Sequence, residues 1–107
     1  MAAIWISLEA QEDIDDIHGY IAARGTPLRA LHVIGNILKC VERLREFPES
    51  GRIRCDVDDG VRTIGWGPYL AFYRVSDDRG IVEVIRVIDG RRDLPTAFSE
   101  VSYLVAA

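Results

Sequence analysis

Apolar residues along this chain follow two different periods, and the change between them falls near the middle of the sequence. Ile4-Trp5-Ile6 is a short β-prone run ending at Ser7, a residue able to cap a following helix. From Leu8 the period lengthens. Ala10, Ile14, Ile17 and Ile21 recur at spacings of four, three and four, the apolar stripe of an amphipathic helix. The other face carries Glu9, Glu12, Asp13, Asp15 and Asp16, in the first turns, where the helix dipole favours negative charge. This acidic cluster is read as a solvated helix start rather than a metal site, since nothing else in the sequence adds ligands to it. The helix is expected to stop near Arg24-Gly25, with Gly25 left-handed past its end. Thr26 and Pro27 then supply the cap and first residue of a second helix, so the two form a tight antiparallel hairpin. That second helix is expected from about Pro27 to Phe47, with Leu31, Ile34, Leu38, Val41 and Leu44-Arg45 tracking one face. Pro48 and Gly51 end it.

Beyond Gly51 the period becomes two. Ile53, Cys55 and Val57 alternate with Arg52, Arg54 and Asp56, which reads as a strand. Asp58-Asp59-Gly60 is a turn, and Val61 to Ile64 a second short strand. After the break Gly65-Trp66-Gly67-Pro68, the run Tyr69 to Val75 is the strongest strand signal in the chain. Asp77-Asp78-Arg79-Gly80 is another turn. Ile81 to Ile88 is apolar on both faces apart from Glu83 and Arg86, which predicts a central place in the sheet. The tail, 94–107, has weak helical spacing. The expected order is therefore β-α-α-β-β-β: an α+β domain with an antiparallel sheet covered on one face by the helical hairpin.

A length of 107 residues suits a single domain over 1–107. The opening MAAIWISLEAQEDIDD lacks the basic start and apolar core of a signal peptide, and no apolar run approaches the ~20 residues of a membrane span. A soluble, cytoplasmic protein with no membrane partner is the expectation. Net charge is −4, with 5 Lys/Arg against 8 Asp/Glu in residues 1–50 and 8 against 9 in residues 51–107. Phosphate-gripping proteins usually show an excess of positive charge, so direct sequence-specific nucleic-acid binding is not expected. Cys40 and Cys55 belong to no CxxC, and His18 and His32 lie far from both in sequence. Both thiols are read as small apolar residues in or near the core, and neither a metal nor a cofactor is expected.

Four segments, in this order and spacing, resemble the RelE/ParE toxin superfamily over Trp5 to Phe98. Leu8-Glu9-Ala10 with Asp13-Ile14, Ile17 and Tyr20-Ile21-Ala22 is similar to the opening helix A-x-x-D-L-x-x-I-x-x-Y-I-A of ParE-like toxins. Leu44 to Arg52 matches the helix exit L-x-x-F/H-P-x-x-G-R, and Tyr69 with Phe72-Tyr73-Arg74-Val75 matches the strand Y-x-x-x-Y-R-V. Ile85-Arg86-Val87-Ile88 followed by Gly90-Arg91-Arg92-Asp93-Leu94 is close to I-x-R-V-x-H-x-x-R-D, with Asp89 standing near the place where the family often has histidine.

The resemblance implies a toxin of a type II toxin–antitoxin system, neutralised by a cognate ParD-like antitoxin. Residue chemistry bears on which branch. The RelE-like branch cuts messenger RNA at the ribosome, which needs groups to activate a hydroxyl and protonate a leaving oxygen. Here Leu70 follows Tyr69 where that branch often has arginine. Phe98, which has no hydroxyl, stands where a terminal Tyr or His is expected, with Tyr103 as the substitute further along the tail. Both histidines are assigned to the helices, away from the sheet. No catalytic residue is assigned. The leading reading is a ParE-like inhibitor that binds DNA gyrase and needs no active site of its own.

The target-binding candidates are Arg74, Arg86, Arg91, Arg92, Trp66 and Tyr69, since Arg and aromatic residues most often dominate binding energy. For Arg86 a structural pairing with a carboxylate such as Asp93 is the preferred reading. Trp66 reads equally as a core plug or an exposed anchor. The antitoxin-binding candidates are Leu28, Leu31, Ile37 and Leu38, left over from a single core stripe on the second helix. Two alternatives stand beside this reading. One is a RelE-like ribonuclease with an atypical site from Arg54, Arg62, Arg74 and Arg86. The other is a non-toxic member that only binds its antitoxin.

Overall fold

The computed structural model describes residues 1–91. It runs β1 (Ala3–Ile6), α1 (Leu8–Arg24), α2 (Pro27–Glu42), a 3-10 turn (Arg43–Arg45), β2 (Arg52–Ile53), β3 (Arg62–Trp66), β4 (Tyr69–Val75) and β5 (Ile81–Asp89). The five strands form one sheet in the order β1-β5-β4-β3-β2. All neighbours are antiparallel except β1 and β5, which run parallel because the helical hairpin intervenes between β1 and the rest of the sheet. β5 is flanked on both sides, as its two apolar faces predict.

Both helix starts are capped as the sequence predicts. Ser7 Oγ accepts the Ala10 N–H at 3.1 Å and donates to Ile85 O at 2.8 Å, tying α1 to β5. Thr26 Oγ1 accepts the Arg29 N–H at 3.0 Å, ahead of Pro27 at the first helical position. Gly25 departs from expectation: its φ is −121°, not left-handed. What glycine provides there is room, since a Cβ would stand 3.2 Å from Ile21 O.

Two further expectations change. Helix α2 ends at Glu42, and a 3-10 turn carries the chain on toward Phe47. The strand expected from Ile53 to Val57 is only the two-residue β2. Arg54 N–H closes on Val61 O at 2.8 Å, and the chain turns through 55–60, where the Asp-rich sequence favours turns over a ladder. Cys55 is consequently exposed, while Cys40 is buried as expected.

The main core lies between the helices and the sheet, joining Ala10, Ile21, Ala30, Val33, Ile37 and Val41 to Ala71, Tyr73, Val82, Val84 and Val87. A second cluster, Val61, Phe72, Ile85 and Ile88 with Val57 and Leu70, occupies the opposite sheet face. On α2 the buried positions are Ala30, Val33, Ile37, Cys40 and Val41. Of the stripe expected through Leu31, Ile34, Leu38, Val41 and Leu44, Val41 and Leu44 are buried and Ile34 packs against the core. Leu31 and Leu38 are exposed, so the buried face is turned by less than one residue, under about 100°, toward Ala30, Val33 and Ile37. The physical reason is close approach. Ala10 and Ala30 are both fully buried, so the short side chains set where α1 and α2 meet.

Tyr73 is also fully buried, with its Oη accepting the Gly51 N–H at 2.8 Å. Burial raises its phenol pKa above the ordinary value near 10. The folded state therefore favours the neutral phenol, and that stabilisation, present below pH ~10, is lost as pH rises through the higher folded pKa. In an alkaline absorbance titration the Tyr73 phenol should ionise only above the ordinary phenol range and together with loss of structure. A Tyr73 phenol that ionises near the ordinary value in an intact fold would contradict this placement.

Candidate partner-binding site

Two surfaces carry the residues singled out by sequence. The first is the outer face of α2. Because the core takes the stripe through Ala30 and Ile37, Leu28 is left 78% exposed, Leu31 61% and Leu38 40%. Ile37, expected on the same outer face, is 3% exposed and belongs to the core. It lies one turn from Val33 and Val41, on the side that meets the sheet, and is removed from any docking surface.

The second surface is the end of the sheet formed by the β3–β4 turn and the last residue of β5. Trp66 and Tyr69 face one another across that turn, which Gly67 closes at φ +58°. Both are half-buried and lean on the main core, so Trp66 is neither a full plug nor a free anchor. The His32 ring meets Trp66 edge-on at 6.0 Å between centroids, which places this histidine against the sheet end rather than away from it. Tyr69 stands opposite Asp89 on β5.

Asp89, near the family's histidine position, folds onto Arg91. Its carboxylate accepts from Arg91 Nε at 2.9 Å, from Nη2 at 2.5 Å and from the Arg91 backbone N–H at 3.0 Å. These bonds push the Arg91 guanidinium pKa further up, and the Tyr69 and Tyr20 phenols lie within its electrostatic reach. Nearby on α1, the Arg24 guanidinium stacks on the Tyr20 ring at 3.9 Å. Tyr20, Arg24 and His32 were not among the sequence candidates. Only the four-residue spacing of Tyr20 and Arg24 on a helix could have pointed to that stacking.

The remaining candidates do not join this group. Arg74 sits five residues along β4 from Tyr69, about 17 Å away at strand spacing, with Nη2 2.6 Å from Asp58 Oδ2. Arg86 reaches back to α1, where Nε and Nη2 engage both oxygens of Asp13 at 2.6 and 2.9 Å. Its carboxylate partner on α1 is thus Asp13. Arg92, Asp93, Phe98 and Tyr103 lie outside the described residues. The arginines of the alternative nuclease site are each engaged: Arg54 pairs with Asp56 at 2.7 Å, and Arg62 Nη1 donates to the carbonyls of Glu49 and Gly51 at 3.0 and 2.9 Å. Among the described residues no cluster of three His, Cys, Asp or Glu side chains could hold a metal ion, and no helix is long and apolar enough to cross a membrane.

Comparison with known proteins bears on these surfaces. The family profile described as the ParE toxin of the type II toxin–antitoxin system parDE matches residues 4–94. Toxin ParE3 of Caulobacter vibrioides is 34% identical over 61 residues, 57% of this chain and 59% of that protein. The match thus spans under two thirds of that relative. Among solved structures, a chain of the chromosomal ParDE system from P. aeruginosa superposes with a TM-score of 0.71 at 24% identity, covering 83% of this chain and 96% of that one. A chain of the toxin–antitoxin complex RelBE2 from Mycobacterium tuberculosis gives a TM-score of 0.57 at 18% identity, covering 82% and 96%. At these identities the superpositions show the shared fold.

Proposed function

This chain belongs to the ParE toxin family of type II toxin–antitoxin systems, and from that premise we propose that it inhibits DNA gyrase by binding, with no active site of its own, and that a cognate antitoxin neutralises it on the outer face of α2. The observation that carries the reading is the pair of leucines Leu28 and Leu31, exposed on a helix whose opposite side is already satisfied by the core. An amphipathic antitoxin segment laid on that face removes them from water. The target-binding side of the proposal rests on the sheet end with Trp66, Tyr69 and Arg91, to which Arg92 is adjacent in sequence. The arginines committed to Asp58 and Asp13 have a supporting role in it.

One experiment tests both parts. Purified chain is added to gyrase and relaxed DNA, with and without the antitoxin. Lost supercoiling with accumulation of cleaved DNA, reversed by antitoxin, is the expected result. Leu28→Lys/Leu31→Lys should keep the fold, since both positions face water, and keep the inhibition, yet escape the antitoxin. Burying a leucine contributes roughly 1.5–3 kcal/mol, so antitoxin affinity should fall at least about 100-fold. Unchanged supercoiling at large excess would sink the gyrase reading. Cleavage of messenger RNA in a translating extract would then favour the ribonuclease branch.

A further inference from the structure

The corner of the molecule opposite Trp66 and Arg91 holds an arginine in a conformation its side chain does not favour. In the β4–β5 turn, Arg79 is the one non-glycine residue with positive φ among those described, at 59°. The turn is closed by Arg79 N–H to Ser76 O at 2.8 Å and Ser76 N–H to Ile81 O at 2.9 Å. Asp78 Oδ1 braces it, accepting from Ser76 Oγ at 2.7 Å and from Gly80 N–H at 2.9 Å. Hairpin loops of this kind prefer glycine or asparagine at the left-handed position, because a Cβ crowds the following carbonyl there. The chain has a glycine one place further on, at Gly80, where φ is not left-handed. Arginine at position 79 is therefore poorly explained by the turn itself.

Its side chain does have a place to act. Arg79 reaches across the fold to pair with the Glu49 carboxylate, and this pair stands between two concavities. One, of about 280 Å³, runs beside Ile53, Arg62 and Val75; the other, of about 560 Å³, beside Phe47 and Pro48. Phe47 is 61% exposed and Ile53 55%, so each concavity has an apolar side chain at its rim. Arg62 holds the backbone carbonyls of Glu49 and Gly51, which fixes the loop that carries Glu49 and leaves only its side chain to move. The Glu49–Arg79 pair is itself solvent-exposed, and pairs of that kind are easily exchanged.

We propose that this corner is a docking site for an extended segment of a protein partner that carries a carboxylate next to an aliphatic side chain. The partner's carboxylate takes the place of Glu49 on the Arg79 fork, and its aliphatic side chain enters the concavity beside Ile53 or Phe47. Glu49 acts as the internal stand-in for that ligand when the site is empty. A peptide fits better than a polyphosphate, because Glu49 and Asp77 line the same concavity and the whole chain carries a net charge of −4. The surface is separate from the outer leucines of α2 and from the sheet end, and it does not rest on the choice of gyrase as target.

The test is selection of random twelve-residue peptides displayed on phage, using the purified chain, followed by affinity measurements on synthetic peptides. Selected peptides should carry Glu or Asp within about three residues of Leu, Ile or Phe. Replacing that acid with its amide should weaken binding at least about tenfold, the loss expected for one charged hydrogen-bonded contact. Arg79→Gly should melt no lower than the native chain, since glycine suits the turn, and yet lose binding by a similar factor. Glu49→Gln should tighten binding about threefold or more by removing the internal competitor. The proposal is overturned if no peptide is enriched, if enrichment shows no acidic preference, if Arg79→Gly binds unchanged, or if heparin fragments outcompete the peptides at equal charge.

Discussion

Asp13→Ala should cost the fold about 3 kcal/mol, the lower end of the range for removing one partner of a buried ion pair. The position explains the size. Strand β1 ends at Ile6, whereas β5 continues to Asp89, so the edge of β5 beyond Ser7 has no strand beside it. Helix α1 takes over that edge through one carboxylate. Asp13 Oδ2 accepts the Val87 N–H at 3.0 Å as well as Arg86 Nε, and Oδ1 accepts Arg86 Nη2. A β-bulge makes the arrangement possible. Phe72 pairs with Arg86 and Tyr73 with Val84, so Ile85 is an extra residue in β5. Ile85 packs beside Phe72 on the far face, while Arg86 turns toward α1. Asp13 and Arg86 side chains are 14% and 15% exposed, too little for water to replace what alanine removes. Urea denaturation of Asp13→Ala should show a lowered midpoint with an unchanged slope. Asp13→Leu combined with Arg86→Met should recover only part of the loss. The apolar pair leaves no unpaired charge, but the Val87 N–H still lacks its acceptor, which keeps about 1–3 kcal/mol of the cost. A single-variant loss below about 1 kcal/mol would show that the pair is a surface contact and not a clasp.

Gly51→Ala should be nearly as damaging, at about 3 kcal/mol, the upper end for overpacking a tight site. A Cβ on Gly51 would lie 2.3 Å from Tyr73 Oη and 2.8 Å from the backbone oxygen of Thr63. The phenol could retreat only by giving up the Gly51 N–H bond, and the Thr63 carbonyl is fixed by its strand. Tyr73→Phe leaves the buried Gly51 N–H without its acceptor and should cost about 1–3 kcal/mol. The two changes share one contact, so they should not add. Placed in the Tyr73→Phe background, Gly51→Ala should cost less than alone, because the nearest atom is gone. Full additivity in thermal melts would mean that the clash lies with the Tyr73 ring edge, 2.7 Å from the added Cβ, or with the Thr63 carbonyl, both of which remain in Tyr73→Phe. The contact also gives a physical reason for two of the recurrent motifs. The glycine of the helix exit and the second tyrosine of the strand Y-x-x-x-Y-R-V touch each other in the folded chain.

Of the two candidate surfaces, the leucine face of α2 was partly legible. Leu28, Leu31 and Leu38 stand out because α2 has more apolar positions than one stripe can use. Ile37 was placed wrongly by the same logic, since periodicity shows that two apolar stripes exist and not which one the sheet accepts. At the sheet end, Trp66 and Tyr69 were legible as near neighbours in sequence, but Gly65 and Trp66 were expected in the break before β4 and instead belong to β3, so their pairing across the turn was not. Tyr20, Arg24 and His32 were not, because they come from helices whose packing angle brings them there. Arg74 and Arg86 look alike in sequence, each an arginine within an apolar strand. Only their partners, Asp58 and Asp13, from a turn and a helix distant in the chain, set them apart.

What the sequence by itself determined is local. It settled the helical hairpin, its two side-chain caps, the interior place of β5 and the turn Asp77 to Gly80. Each follows from the backbone preferences of a few adjacent residues or from a repeating apolar period, and both act over one or two turns of chain. Tertiary structure decided the parallel pairing of β1 with β5, the rotation of α2 about its axis, the shortening of β2 and the pairing of Arg86 with Asp13. These depend on which surfaces meet after collapse, where short residues such as Ala10 and Ala30 permit close approach and a single bulge redirects a side chain. Such contacts join residues up to 78 positions apart, as Ser7 and Ile85 do, and no local period encodes them.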